Sequence, residues 1–197
     1  MRKPSTLLPL SLLTAGFAIT VANAQDAHVH GEAILQLVID DTGALATFQS
    51  PAANIVGFER QPESDSQKQT VADAISQLSN FPALFTLPTA AGCTVDDAHA
   101  DFEVEAAGAD HDDHDEDEMK AGADHDDHDE DEMKAEAGHA EFHAEFELTC
   151  ANTSNLTSLQ TNLFDLFPSL EALEVKVVTP SGQAGAELTP QNPEMAL

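Results

Sequence analysis

The sequence predicts an α+β fold made mainly of antiparallel hairpins, with one clear helix and a disordered insert rich in His and Asp. Several short segments alternate apolar and polar residues between turn sequences, which is typical of hairpins. A clear helical period is confined to the segment from about residue 64 to residue 80. Residues 108–121 read GADHDDHDEDEMKA and are repeated exactly as residues 122–135, with too few apolar side chains to form a packed element.

The first 24 residues have the composition of a secretory signal peptide. Two basic residues precede an apolar run over residues 7–21, and ANA at 22–24 matches a cleavage site. An uncleaved membrane anchor is the alternative, but Pro9 interrupts a run that is already shorter than the roughly 20 apolar residues of a span. We therefore expect cleavage after Ala24, a single domain over residues 25–197, and no membrane insertion of the cleaved chain.

The first half of the domain is predicted to contain a hairpin and the helix. Residues 33–40, AILQLVID, are apolar at nearly every position and predict a buried strand. A turn leads into a returning strand over residues 44–50, after which residues 51–62 are expected to form a loop. The helix begins at Ser64 or Ser66, either of which can cap it, and ends before Pro82.

The second half is predicted to consist mainly of strands. Residues 98–105 and 139–150 alternate strictly, which predicts a hairpin that carries the duplicated insert between its strands. Its polar face places His99, His139 and His143 on the solvent side among carboxylates. The remaining elements are predicted to be strands over 156–163, 173–179 and 184–188, a helical turn over 164–167 and an aperiodic tail from residue 190.

Cys93 and Cys150 are the two cysteines of the chain, and they bracket the insert at a separation of 57 positions. An even pair in a secreted protein predicts a disulfide bond. The alternative is that both are thiolate metal ligands, although no C-x-x-C pairing is present.

Charge and motifs exclude several classes of function. The formal net charge is −29, which repels nucleic acid and anionic lipid and attracts cations. The sequence contains no G-x-S-x-G, no H-E-x-x-H and no glycine-rich phosphate loop. We therefore expect no enzymatic activity and no nucleic acid partner.

Histidine and carboxylate residues predict divalent metal binding, with zinc preferred and other transition metals possible. The two copies of the insert sequence each contribute two His among seven carboxylates: His111, His114, His125 and His128. A solvated acidic spacer with incidental His is the alternative for this segment. His28 and His30 are expected to share one face at the start of the first strand and to form a half-site that His139 or His143 completes. Residues 25–197 are thus expected to form a metal-binding domain.

Several sequence segments together are typical of one known family. They are AHVHGEA at 27–33, SPAANIVGFE at 50–59, AGC at 91–93, the His-rich acidic insert, and LFDLFPSLEALEVKVVTPSGQAGAELTPQNP at 163–193. With these segments the chain resembles the ZrgA-type family of bacterial periplasmic zinc-binding proteins. His28 and His30 fall directly on the AHVHG motif. The resemblance implies a periplasmic protein of zinc acquisition or homeostasis, whose His-rich region contributes metal sites.

The favoured hypothesis is a protein that captures or buffers Zn²⁺ and passes it to a zinc importer or to the importer's binding protein. The alternative is an acidic docking protein for a metal transporter or another periplasmic partner, without a defined metal site. In that case, partner binding is expected to persist in the presence of a chelator.

Overall fold

A computed structural model of the chain describes residues 29–104 and 139–197. The predicted signal peptide over residues 1–24, His28 and the duplicated insert over residues 108–135 lie outside the described residues. The predictions for them, including the four histidines of the insert, therefore remain predictions.

The described residues form two sheets and four α-helices. In chain order the strands are β1 (Glu32–Ile39), β2 (Gly43–Pro51), β3 (Phe85–Thr86), β4 (Cys93–Val104), β5 (Ala140–Cys150), β6 (Ser158–Thr161), β7 (Ala172–Thr179), β8 (Gly182–Leu188) and β9 (Glu194–Ala196). The helices are α1 (Ala52–Val56), α2 (Asp65–Leu78), α3 (Phe81–Leu84) and α4 (Leu163–Leu166). The strand-rich composition with one long helix confirms the predicted α+β class.

The larger sheet has six strands in the order β4-β5-β2-β1-β7-β8, and the smaller has three in the order β3-β6-β9. All neighbouring strands are antiparallel except β1 and β7, which run parallel. Because β1 and β5 both run antiparallel to β2, their first residues lie at the same end of the larger sheet. This topology brings together chain segments that are more than a hundred residues apart.

One face of the larger sheet is buried in the core and the other is open. Alternate residues such as Leu35, Phe48 and Phe146 are almost fully buried, as the period of two in these strands requires. We call the opposite side the open face. On β4 and β5 it carries Asp97, His99, Asp101, Glu103, Glu141, His143, Glu145 and Glu147.

The structure confirms the predicted helix, which is α2, and the predicted hairpin, which is β4–β5. Ser64 caps α2 in a capping box with Gln67, so the first of the two candidate serines is the cap. Cys93 lies directly opposite Cys150 in the hairpin, and the two form the predicted disulfide bond. Strand β4 begins at Cys93 rather than at residue 98, because an irregularity between Val95 and Asp97 breaks the alternation that marks the strand in the sequence.

Three further segments differ from the predictions. Helix α1 occupies part of the predicted loop over 51–62; it follows Pro51 and ends at Gly57, whose φ of 82° suits glycine at a helix end. The tail forms β9, which pairs with β6, although its three residues are too few to show a period. Strand β6 is also shorter than predicted and ends at Thr161.

Candidate metal centre

The turn before β1, the segment after α1 and the first residue before β5 meet at one end of the larger sheet. They bring together His30, Glu59 and His139, which we call the amino-terminal cluster. The antiparallel order explains the meeting: β1 and β5 both begin at this end, and β2 ends there and continues into α1. The three residues are far apart in sequence, and the fold places them side by side.

Glu59 connects the two imidazoles of this cluster through its two carboxylate oxygens. His30 Nε2 lies 2.7 Å from Oε1, and His139 Nδ1 lies 3.7 Å from Oε2. Glu59 is mostly buried, at 20% exposure, whereas the histidine side chains are 69% and 66% exposed. Two imidazole nitrogens around one carboxylate form the donor set that zinc prefers, and the histidines are open to an incoming ion.

Asn54, in α1, positions the turn that carries His30. Its Oδ1 accepts from the Gly31 N–H at 2.7 Å, and its Nδ2 donates to the Glu32 carbonyl at 2.8 Å. Asn54 is 3% exposed; its bond to Gly31 is buried and its bond to Glu32 is partly buried. Gly31 has a φ of 86°, in the region that favours glycine, and this turns the chain sharply just before β1.

This geometry bears on the predicted half-site in two respects, although metal binding there remains a prediction. His30 precedes β1, which begins at Glu32, so the alternation of the strand does not fix the direction of its side chain. His139 approaches it through Glu59, whereas His143 belongs to a different group on the open face. Glu59 was not predicted as a site residue. The signal available in the sequence was its place at the end of SPAANIVGFE, a segment that resembles the family.

A second group of side chains lies on the open face, and we call His99, Asp101, Glu141 and His143 the open-face cluster. His99 Nε2 lies 3.5 Å from Asp101 Oδ2, and His143 Nε2 lies 3.4 Å from Glu141 Oε2. The Gln49 side chain on β2 donates a hydrogen bond of 2.9 Å to Glu141 Oε2 and holds it in place. As predicted, His99, His139 and His143 are on the solvent side of the hairpin among carboxylates.

Neither cluster is a closed, preformed metal cage. Within residues 29–104 and 139–197, no three His, Cys, Asp or Glu side chains already converge in the geometry that holds a metal ion. The histidine side chains are nevertheless exposed enough to rotate, and metal binding commonly completes a site as it occurs.

Among the same described residues, no helix is long and apolar enough to cross a bilayer.

Comparison with known protein families gives one finding. A family model described as "ZrgA family zinc uptake protein" matches residues 27–197, which include both clusters. No curated protein matches the chain.

Proposed function

Because the chain belongs to the ZrgA family of zinc uptake proteins, we propose that it binds Zn²⁺ in the periplasm as the cargo of zinc acquisition. The amino-terminal cluster is the primary site in this proposal, with His30, Glu59 and His139 as ligands. His28, two residues before His30, is available as a further ligand. Zinc is carried and not transformed, so no catalytic step is assigned to the protein.

The position of Glu59 is the observation that carries this proposal. A single carboxylate, mostly shielded from water, reaches imidazoles from two distant segments of the chain. A tetrahedral zinc ion holds its ligands at about 2.0–2.1 Å, which places any two of them about 3.3 Å apart. The distances of 2.7 Å and 3.7 Å lie on either side of that separation, so each imidazole is within reach of an ion bound to Glu59.

The duplicated insert is proposed to recruit zinc to this site. Its four histidines and fourteen carboxylates give a high local density of ligands, as expected for weak and exchangeable binding. The insert lies in the chain segment between Val104 and His139, so it is tethered beside a residue of the primary site. A strongly negative chain also raises the local concentration of cations.

The test uses the secreted chain with alanine at the four histidines of the insert, which we call the insert-Ala chain. Zinc titration by calorimetry, with competition against a chromophoric chelator, gives stoichiometry and affinity. In this background we expect Glu59→Gln to weaken zinc binding at one site at least tenfold. The change removes the charged zinc ligand that lies between the two imidazoles. His30→Gln and His139→Gln should act on the same site.

Glu63→Gln is the matched control, because it makes the same chemical change at an exposed position outside the cluster. It should leave zinc affinity unchanged within about twofold. Unchanged stoichiometry and affinity in Glu59→Gln would refute the primary site. The cellular part of the proposal requires cleavage after Ala24, which mass spectrometry of the purified chain would detect as an amino terminus at residue 25.

A further inference from the structure

The open-face cluster is separate from the amino-terminal cluster. His139 immediately precedes β5 and His143 lies within it, four residues further along the chain, which corresponds to about 13 Å for an extended chain at roughly 3.3 Å per residue. One ion cannot be bound by both histidines at zinc–nitrogen distances near 2 Å. The open-face cluster therefore requires an explanation of its own.

The register of the hairpin sets the pairs that face each other across β4 and β5. The four consecutive pairs on the open face are Asp97 with Glu147, His99 with Glu145, Asp101 with His143 and Glu103 with Glu141. Directly opposite side chains have Cβ atoms about 4.5–5.5 Å apart, and diagonal neighbours are still within reach of long side chains. His99, Asp101 and His143 are consequently neighbours on one surface.

This arrangement is electrostatically unfavourable without a cation. The two outer pairs place carboxylates directly opposite each other, which destabilises a sheet. The lysine on the same face, Lys176, contacts Glu174 on its own strand, and β7 is three strands away from β5. A divalent ion held by the two central pairs would offset this repulsion.

The distances within the cluster match ligands that share a metal better than they match hydrogen bonds. The nitrogen–oxygen separations of 3.4 Å and 3.5 Å exceed the usual 2.7–3.2 Å of a hydrogen bond. They agree with the roughly 3.3 Å between two ligands of a tetrahedral zinc ion. His143 Nε2 also lies 3.9 Å from Glu103 Oε2, so a further carboxylate is close.

One oxygen of the cluster lacks a partner. Asp101 Oδ1 is buried and accepts no hydrogen bond from the described residues, although a buried acceptor normally has one. A surface cavity of about 360 Å³ lies beside it, with His99, Asp101 and His143 in its lining. Rotation of the partly exposed Asp101 carboxylate would turn this oxygen toward an ion in the cavity.

We infer that His99, Asp101 and His143 form a second binding site for a divalent transition metal, with Glu141 as a fourth donor. Two nitrogens and two oxygens suit zinc and its neighbours better than Ca²⁺ or Mg²⁺, which prefer oxygen alone. Gln49 acts as a positioning residue, because it holds Glu141 beside His143. This inference goes beyond the proposed function, for which the amino-terminal cluster alone is sufficient.

The test compares Asp101→Asn with Asp97→Asn in the insert-Ala chain, titrated with Zn²⁺ alone. Both changes remove one negative charge from the open face of β4, but Asp97 lies outside the cluster. The insert-Ala chain should bind two zinc ions. Asp101→Asn, and separately His99→Gln with His143→Gln, should weaken one of them at least tenfold, whereas Asp97→Asn should change affinity less than about threefold.

The outcomes separate this inference from the proposed function. A single bound ion that Glu59→Gln abolishes would overturn the second site and leave the primary site standing. Equal weakening by Asp101→Asn and Asp97→Asn would also overturn it, since the effect would then be that of surface charge. Two bound ions, of which Asp101→Asn removes one and Glu59→Gln removes neither, would support the second site and refute the primary one.

Discussion

Asn54 couples the backbone around His30 to the helix that precedes Glu59. Its hydrogen bonds reach the Gly31 N–H, the Glu32 carbonyl and the Ser50 hydroxyl, so one side chain joins α1, β2 and the turn before β1. The amino-terminal cluster therefore depends on a buried residue that is not one of its three members.

Replacement of Asn54 by Ala is expected to lower the free energy of unfolding by about 2 kcal/mol, because it leaves buried polar groups without partners. It should also weaken zinc binding in the insert-Ala chain. Urea denaturation and zinc titration measure the two effects. Asn155→Ala is the control, since it removes one exposed hydrogen bond, to the Ala90 carbonyl. Equal losses in both variants would contradict this role.

Asp40, at the opposite end of the sheet, makes a pH-dependent contribution to the stability of the folded state. Hydrogen bonds from the Thr42 hydroxyl, the Thr42 N–H and the Gly43 N–H hold the pKa of Asp40 below its usual value. A carboxyl with a lowered pKa in the folded state stabilises the protein above its unfolded pKa. That stabilisation is lost as the pH falls through the folded pKa.

Asp40→Ala should therefore lower the Tm at pH 7, and its difference from wild type should shrink as the pH falls into the acidic range below the folded pKa. Differential scanning calorimetry over a pH series measures this difference. Asp41→Ala is the neighbouring control, because Asp41 accepts none of these three bonds. A difference between Asp40→Ala and wild type that stays constant with pH would argue against the mechanism.

At the scale of single residues, the sequence singles out the histidines as candidate ligands but does not single out individual carboxylates. All nine histidines were predicted as ligands, and the four within the described residues lie in one of the two clusters. Glu59 is one of 36 acidic residues, and only its place at the end of SPAANIVGFE distinguishes it in the sequence. Its role depends on the antiparallel order of β1, β2 and β5, which brings distant segments together.

The β4–β5 hairpin is the element on which the open-face cluster depends. Its register runs from the Cys93–Cys150 pair at one end to Val104 and Ala140 at the other, where the insert leaves. A slip of one residue would turn His99 or His143 toward the core, depending on which strand moved. The buried phenylalanines on its other face, Phe142 and Phe146, oppose such a slip.

Removal of the disulfide by Cys93→Ala with Cys150→Ala should destabilise the protein by about 4 kcal/mol in the chain-entropy model, for a separation of 57 residues. Guanidinium denaturation measures the loss. Wild-type protein in excess reductant should match the double variant. A loss below about 1 kcal/mol in both would show that the strand pairing holds the hairpin without the covalent bond.

Sequence patterns predicted those elements that are long or strictly periodic. Helix α2 and strands β1, β2, β5 and β7 lie within a few residues of their predicted bounds. Helix α1 and strand β9 were missed, because five and three residues are too few to establish a period. The parallel pairing of β1 with β7 could not be predicted from sequence patterns either, since strand order is set by packing across the whole molecule.

The whole molecule combines two His-carboxylate clusters with a net charge of −29. Repulsion among so many carboxylates destabilises the compact state, and their negative charge attracts divalent cations. Screening by salt and specific binding of zinc are both expected to stabilise such a protein, and they can be separated.

Zinc at a hundred times its dissociation constant stabilises a one-site protein by about 2.7 kcal/mol, which corresponds to a Tm increase of roughly 5–10 °C for a chain of this size. Differential scanning fluorimetry measures the increase. Mg²⁺ at the same concentration and ionic strength should raise the Tm by less than about 2 °C, because Mg²⁺ prefers oxygen ligands to imidazoles. Equal shifts for the two ions would attribute the effect to screening alone.

The parallel pair β1–β7 also has a consequence for truncated chains. β1 ends at Ile39, whereas β7 begins only at Ala172. In a fragment without β7, one edge of an apolar strand in the interior of the sheet has no partner, and such an edge promotes aggregation and proteolysis. A prematurely terminated chain therefore cannot complete the sheet, and the topology itself distinguishes full-length product from fragments.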